Sequence, residues 1–182
     1  MKILFQCSIG PVQDFIATAR RSRDLWYGSW MLSELAKAAA KAIADAGGQL
    51  IFPSTADIAH DLASRSEFNA PNKIVGVIDS APSDVAIAVQ NAIRARLHEL
   101  RDNAFKTPHN HPYFDETLAT KQVEDMVEFY WVSAAFDRDA GYPQARRMAE
   151  ALLNARKATR DFQRFDGEFK PKSSLDGMRE SV

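Results

Sequence analysis

The order in which short apolar runs alternate with long helix-patterned stretches is the feature that most limits how this chain can fold. Lys2 to Ile9 has strand length, with Ile3, Leu4, Phe5 and Cys7 supplying apolar side chains. Ser8-Ile9-Gly10-Pro11 then punctuates the run. Proline suits the first turn of a helix, where its missing N–H has no partner to lose. From Val12 the period changes, and Val12, Phe15, Ile16 and Ala19 fall on one helical face. Leu32, Leu35, Ala36, Ala39 and Ile43 continue that spacing in a second stretch, with Gly28 between Tyr27 and Ser29 expected to mark a kink or break. Gly47-Gly48 is expected to end this helix as a C-cap.

Gln49 to Pro53 reads as a second short strand, residues 54–72 as a polar segment with a short helix near Ile58 to Ser64, and Lys73 to Asp79 as a third strand. Pro82-Ser83-Asp84 opens a helix that runs to about Phe105. Lys106 to Lys121 reads as a loop, Glu128 to Phe136 as a fourth strand, and Gln144 to Gln163 as a final helix after Tyr142-Pro143. Strand, helix pair, strand, strand, helix, strand is a split βαβ order. The expected class is therefore α+β: a ferredoxin-like, four-stranded antiparallel sheet with helices on one face, plus an extra C-terminal helix. Residues 1–165 form the expected domain, and 166–182 a polar tail leading into a further one.

Composition narrows the function classes. Of 182 residues, 46% are hydrophobic, enough for a core and too many for a disordered chain. The formal net charge of −1 disfavours free nucleic-acid binding by this piece, although Arg20, Arg21 and Arg23 cluster, as do Arg156, Lys157, Arg160 and Arg164. The single cysteine, Cys7, excludes an internal disulfide. No apolar run approaches the ~20 residues that span a bilayer. Met1-Lys2-Ile3-Leu4-Phe5 lacks the long apolar core of a signal peptide. A cytoplasmic protein with no membrane partner is expected.

Palm domains that polymerise or cyclise nucleotides share this plan. They hold two divalent metals on carboxylates, one at the end of the first strand and others in a tight hairpin between the second and third. Here the first strand ends in Cys7-Ser8-Ile9, without an acid. The second and third strands are separated by a long segment whose acids, Asp57, Asp61 and Glu67, have no rigid two-residue turn to gather them. The only Gly-Gly, Gly47-Gly48, precedes the second strand and is followed by Gln49. No metal-dependent nucleotidyl transfer by this chain alone is expected.

Ser8-Ile9-Gly10-Pro11-Val12-Gln13-Asp14-Phe15-Ile16, followed by Ala19-Arg20-Arg21-Ser22-Arg23-Asp24-Leu25-Trp26-Tyr27-Gly28-Ser29-Trp30, resembles the opening of the first palm in the large subunit of type III CRISPR complexes, closest to the III-B (Cmr) branch. Ala70-Pro71-Asn72-Lys73, Tyr130-Trp131, Ala155-Arg156-Lys157-Ala158-Thr159-Arg160-Asp161-Phe162 and the tail from Lys172 to Val182 agree in order. The resemblance implies a large protein with a second palm carrying Gly-Gly-Asp-Asp, which converts ATP to cyclic oligoadenylate once target RNA binds the guide RNA. It implies ATP with Mg or Mn, bound mainly by that second palm. It implies as partners the second palm, the other complex subunits and, indirectly, guide and target RNA. Many members also carry an N-terminal HD nuclease; Met1 opens directly on the first strand, so none is expected. Many relatives hold zinc with a Cys-x-x-Cys pair where this sequence has Ser173 and Asp176, so no zinc is expected.

The turn after the first strand is the candidate site. It sets a helix N-terminus at the carboxyl end of a strand, where N–H groups favour an anion. Ser8, Ile9, Gly10 and Gln13 are the residues expected at a nucleotide: Ser8 and Gln13 as hydrogen-bond donors, Gly10 for close backbone approach, in a surface that the resemblance turns toward the second palm. The plainer reading is that Gly10 and Pro11 only shape the turn. Arg20, Arg21 and Arg23 suit phosphates or a solvated helix face, with Asp24 as a local pair. Trp26, Tyr27 and Trp30 suit a docking surface or, more commonly, the core around a helix kink. His109-Asn110-His111 reads as a surface loop, and Cys7 as a small buried hydrophobe.

Overall fold

A computed structural model describes residues 2–12, 16–17, 19–137, 141–159, 171–173, 177 and 179–182. Four strands, β1 (Lys2–Gly10), β2 (Gln49–Phe52), β3 (Lys73–Ile78) and β4 (Glu128–Phe136), form one sheet in the order β2-β3-β1-β4, with antiparallel neighbours. The helices are α1 (Ser22–Asp45), the single-turn α2 (Ile58–Asp61), α3 (Pro82–Phe105), α4 (Glu116–Glu124) and α5 (Tyr142–Ala158). This is the ferredoxin-like palm arrangement. No described helix is long and apolar enough to cross a membrane.

The central strand alternates its side chains between two cores. Phe5, Cys7 and Ile9 face α1 and α3, where they meet Leu35, Ala39 and Ile43 from one helix and Val85, Val89 and Ile93 from the other. Leu4 faces the opposite way, packing with Val75, Ala134 and Phe136 of the sheet and Ala145 and Ala149 of α5. The extra helix therefore covers the second face of the sheet, which explains why β1 is buried almost end to end. Phe5 stacks on Trp131 with ring centroids 5.7 Å apart.

Several expected boundaries shift. Gly28 does not break a helix: α1 continues from Ser22 to Asp45 with Gly28 buried inside it. A helical glycine costs about 1 kcal/mol relative to alanine. Gly28 lines two clefts, one with Ala70 and Pro71 and the other with Leu97 and Phe105. The expected loop from Lys106 to Lys121 contains a 3-10 turn, Pro108–Asn110, and the start of α4, capped by Asp115 accepting from the Leu118 N–H at 2.9 Å. Gly47 does cap α1, with φ +81°, and at Gly48 a Cβ would stand 2.7 Å from Ile43. The final helix starts at Tyr142 and ends at Ala158; residues 160–163 lie outside the described part.

A buried charge cluster ties α1, α3 and the β2–β3 connection together. Glu34 and Lys37 of α1 pair at 2.5 Å, and Arg96 of α3 also bonds Glu34, all three being almost wholly buried. Arg65, at a left-handed φ of 63°, turns its backbone N–H onto both Glu34 oxygens at 3.0 and 3.2 Å. Lys37 donates to the Ser66 hydroxyl and carbonyl at 3.0 Å each. Burial pushes the Glu34 carboxyl up, but hydrogen bonds from Lys37, Arg65 and Arg96 together outweigh it and hold its pKa below the ordinary value.

Removing one member of a buried ionic cluster strands the others, so Glu34→Ala is expected to cost about 3–5 kcal/mol in denaturant unfolding. A carboxyl with a lowered folded pKa stabilises the fold above its unfolded pKa, and the contribution is lost as pH falls through the folded value. Unfolding measured from neutral pH down to about pH 3 should show that acid loss in the parent chain and a smaller one in Glu34→Gln.

Candidate functional site

The carboxyl end of β1 lies in the middle of the sheet, flanked by β3 and β4. Ser8 is in register with Lys73 on one side and Tyr130 on the other, so these three side chains share a face of the sheet. It is the face that α5 crosses. Lys157, near the end of α5, donates from Nζ to Ser8 Oγ at 3.1 Å. About two helical turns earlier, Glu150 accepts from Lys73 Nζ at 3.2 Å and lies 3.5 Å from Arg146. The hydrogen bond from Lys73 and its charge hold the Glu150 carboxyl below its usual range.

The other expected residues are placed differently. The Ile9 side chain is fully buried against α1 and α3. Its N–H donates to the Asn72 carbonyl at 2.9 Å, and its carbonyl accepts from Asn72 Nδ2 at 3.2 Å. Gly10 pairs with Glu128, and a Cβ at Gly10 would stand 3.4 Å from Glu128 Oε2, so only a small residue sits comfortably there. Val12, Ile16 and Ala17 are helical; Gln13 lies outside the described residues. Two positions inward from Ser8 on the same face, Gln6 is 1% exposed and its Nε2 has no hydrogen-bond partner among the described residues.

The donors at the strand end do not fit a magnesium ion. Cys7, Ser8 and Ile9 offer no carboxylate, and an ammonium is hydrogen-bonded to Ser8, where it would repel a cation. The acids of the β2–β3 connection serve local structure instead. Asp57 accepts from the His60 N–H at 3.0 Å, capping α2, and Asp61 accepts from the Thr55 hydroxyl and bonds His60 Nδ1. Among the described residues, no group of three or more His, Cys, Asp or Glu is placed to hold a metal. The Ser173 N–H donates to the Arg179 carbonyl at 2.7 Å; Asp176 lies outside the described residues. A hydroxyl bonded to one ammonium, with a second lysine beside it in register, is by contrast suited to phosphate oxygens.

Elsewhere the structure separates the readings that the sequence left open. Trp26 and Tyr27 are not core: they are 65% and 41% exposed, because the unbroken helix turns them away from the sheet. Trp26 and Trp30 stack with centroids 6.3 Å apart. Beside them lie two clefts of about 320 and 260 Å³, the second lined by Tyr27, Met31, Leu97, Leu100, Phe105 and Met126. Arg23 lies 3.6 Å from Asp24, which also accepts from the Arg21 N–H at 3.1 Å. His109 bonds Glu116 at 2.9 Å in an exposed turn, while His111 packs its ring on Tyr113. A further cleft of about 340 Å³ contains Glu34, Lys37 and Arg96, whose charges are spent on one another.

The sequence reading missed that Lys157 reaches Ser8, that Lys73 lies beside it in register, and that Glu150 holds Lys73. The one available signal was the basic run Arg156-Lys157 at the end of a helix, and nothing in it fixes which sheet face that helix covers. It also missed the Glu34 cluster, although Glu34 and Lys37 interrupt an apolar stripe with Leu35, Ala36 and Ala39, which hints at paired charges.

Residues 4–118 match the family described as CRISPR-associated protein Cmr2, N-terminal. No curated protein matches the sequence.

Burial pushes the Cys7 thiol up to about 12, so almost no thiolate exists near neutral pH. The native protein is expected to resist thiol reagents, with Cys7 labelled only after denaturant is added; fast labelling of the folded chain would contradict the packing of β1.

Proposed function

The chain belongs to the Cmr2 family, the large subunits of type III-B CRISPR complexes, over their N-terminal region, and from that premise we propose that it is the non-catalytic palm half of a composite ATP site. In this reading the end of β1 contacts ATP, and a second palm in the same subunit binds the metal ions and carries out cyclic oligoadenylate synthesis. The observation that carries the reading is the substitution at the strand end. Where a catalytic palm needs a carboxylate for magnesium, Ser8 stands with Lys157 bonded to it and Lys73 beside it in register. Hydroxyl and ammonium groups grip phosphate, not metal, so such a palm assists a partner that kept its acids. Contacts to the other complex subunits, and through them to guide and target RNA, belong to the same reading.

A second reading, scaffold without nucleotide contact, is favoured by the exposed Leu25, Trp26 and Tyr27 beside two apolar clefts. Large aromatic side chains in such a patch mark protein interfaces. The two readings part on one titration.

In the assembled complex, Ser8→Ala and Gln13→Ala together are expected to weaken ATP binding about tenfold, the loss of one charge-assisted hydrogen bond. Unchanged affinity, with assembly lost in Trp26→Ser, would leave the scaffold reading. The chain alone, given ATP and Mg²⁺ or Mn²⁺, is expected to form no oligoadenylate; product would overturn both readings.

A further inference from the structure

We infer that Lys73 and Lys157 form a clamp for the polyphosphate of the nucleotide, closing on it from either side of Ser8. This deepens the proposed function and rests on its placement of ATP at the end of β1. Lys73 comes from β3 and is fixed by register: it is the cross-strand partner of Ser8 on the same face. Lys157 comes from α5, far away in sequence, and its Nζ lies 3.1 Å from Ser8 Oγ. One ammonium, that of Lys157, thus reaches the Ser8 hydroxyl, and a second, that of Lys73, starts from the neighbouring strand position and rests on Glu150.

The local charge supports an anion. Lys73 is held by Glu150, but that carboxylate is shared with Arg146 at 3.5 Å. Two cationic groups, Lys73 and Arg146, therefore share Glu150, while Lys157 bonds the Ser8 hydroxyl on the same face. Glu128, beside Gly10, has an interaction of its own. The hydrogen bond from Lys157 goes to a neutral hydroxyl, an exchange that a phosphate oxygen improves, since both partners are then charged. Gln6, on the same face and buried with an unpartnered Nε2, carries the polar lining inward from Ser8. Lysine fits this role because a flexible ammonium reaches a phosphate as a point charge.

Glu150 gives the clamp a brake. While it holds Lys73, that ammonium is only partly available to a ligand; neutralising it releases Lys73 and leaves the packing of α5 in place.

The test is affinity in the assembled complex for three probes: ATP, inorganic tripolyphosphate and adenosine. Lys73→Met and Lys157→Met are each expected to weaken ATP and tripolyphosphate about tenfold and to leave adenosine unchanged. Lys157→Arg should restore most of the loss, and Glu150→Gln should tighten both anionic probes severalfold, a gain that a merely structural role would not produce. Melting temperatures show which variants fold; if Lys157→Met does not, Lys157→Arg, Lys73→Met and Glu150→Gln still decide. ATP binding at parental strength in both methionine variants, with Ser8→Ala still weakened, overturns the clamp and spares the nucleotide site. Parental binding in Ser8→Ala as well overturns both.

Discussion

Burial of β1 on both faces is the constraint on which the other features depend. The strand is paired along both edges, by β3 and β4, and covered above and below, by α1 with α3 and by α5. A strand so enclosed cannot slip in register, because a one-residue shift would exchange Phe5, Cys7 and Ile9 for Leu4, Gln6 and Ser8 in the larger core. That fixes where Ser8 sits, nearly buried beneath α5, which neighbours it meets, and which residue of α5 reaches it.

On the proposed reading, the same architecture lets a palm keep its shape without catalytic acids. In a catalytic palm the second and third strands meet in a tight hairpin that presents carboxylates beside the first strand. Here residues 53–72 connect β2 to β3, and the Glu34 cluster holds them against α1 and α3. The buried carboxylate organises the connection through backbone N–H groups and lysine, so the acids within it are left for helix capping. The charges buried in the Glu34 cluster serve the fold, while the end of β1 carries Lys73 and Lys157 together with the acids Glu128 and Glu150.

Much of the fold was legible because periodicity and punctuation agree along this chain. The limits of α3 and β4 follow from Pro82 and from the apolar run after Val127, and the C-cap at Gly47 from the glycine pair. The side of the sheet that α5 covers was not legible: its apolar residues, Ala145, Ala149 and Leu153, are small or few, and periodicity names a buried face without naming what buries it. For that reason Ser8 could be singled out from the strand-to-helix turn, while Lys73 and Lys157 could not. Ile9 shows the converse. A residue beside a turn reads as a site residue, yet strand alternation sends its side chain into the core. Trp26 and Tyr27 were misjudged through Gly28, since removing the expected kink rotates both rings to the surface.

The most direct test of a nucleotide held at the end of β1 is photo-crosslinking with an azido-ATP in the assembled complex, followed by mass-spectrometric mapping of the labelled peptides. Label on the peptides containing Ser8 and Lys157, competed away by ATP, is the expected result. Label confined to other parts of the complex, with both peptides unmodified, would contradict a nucleotide contact by this palm.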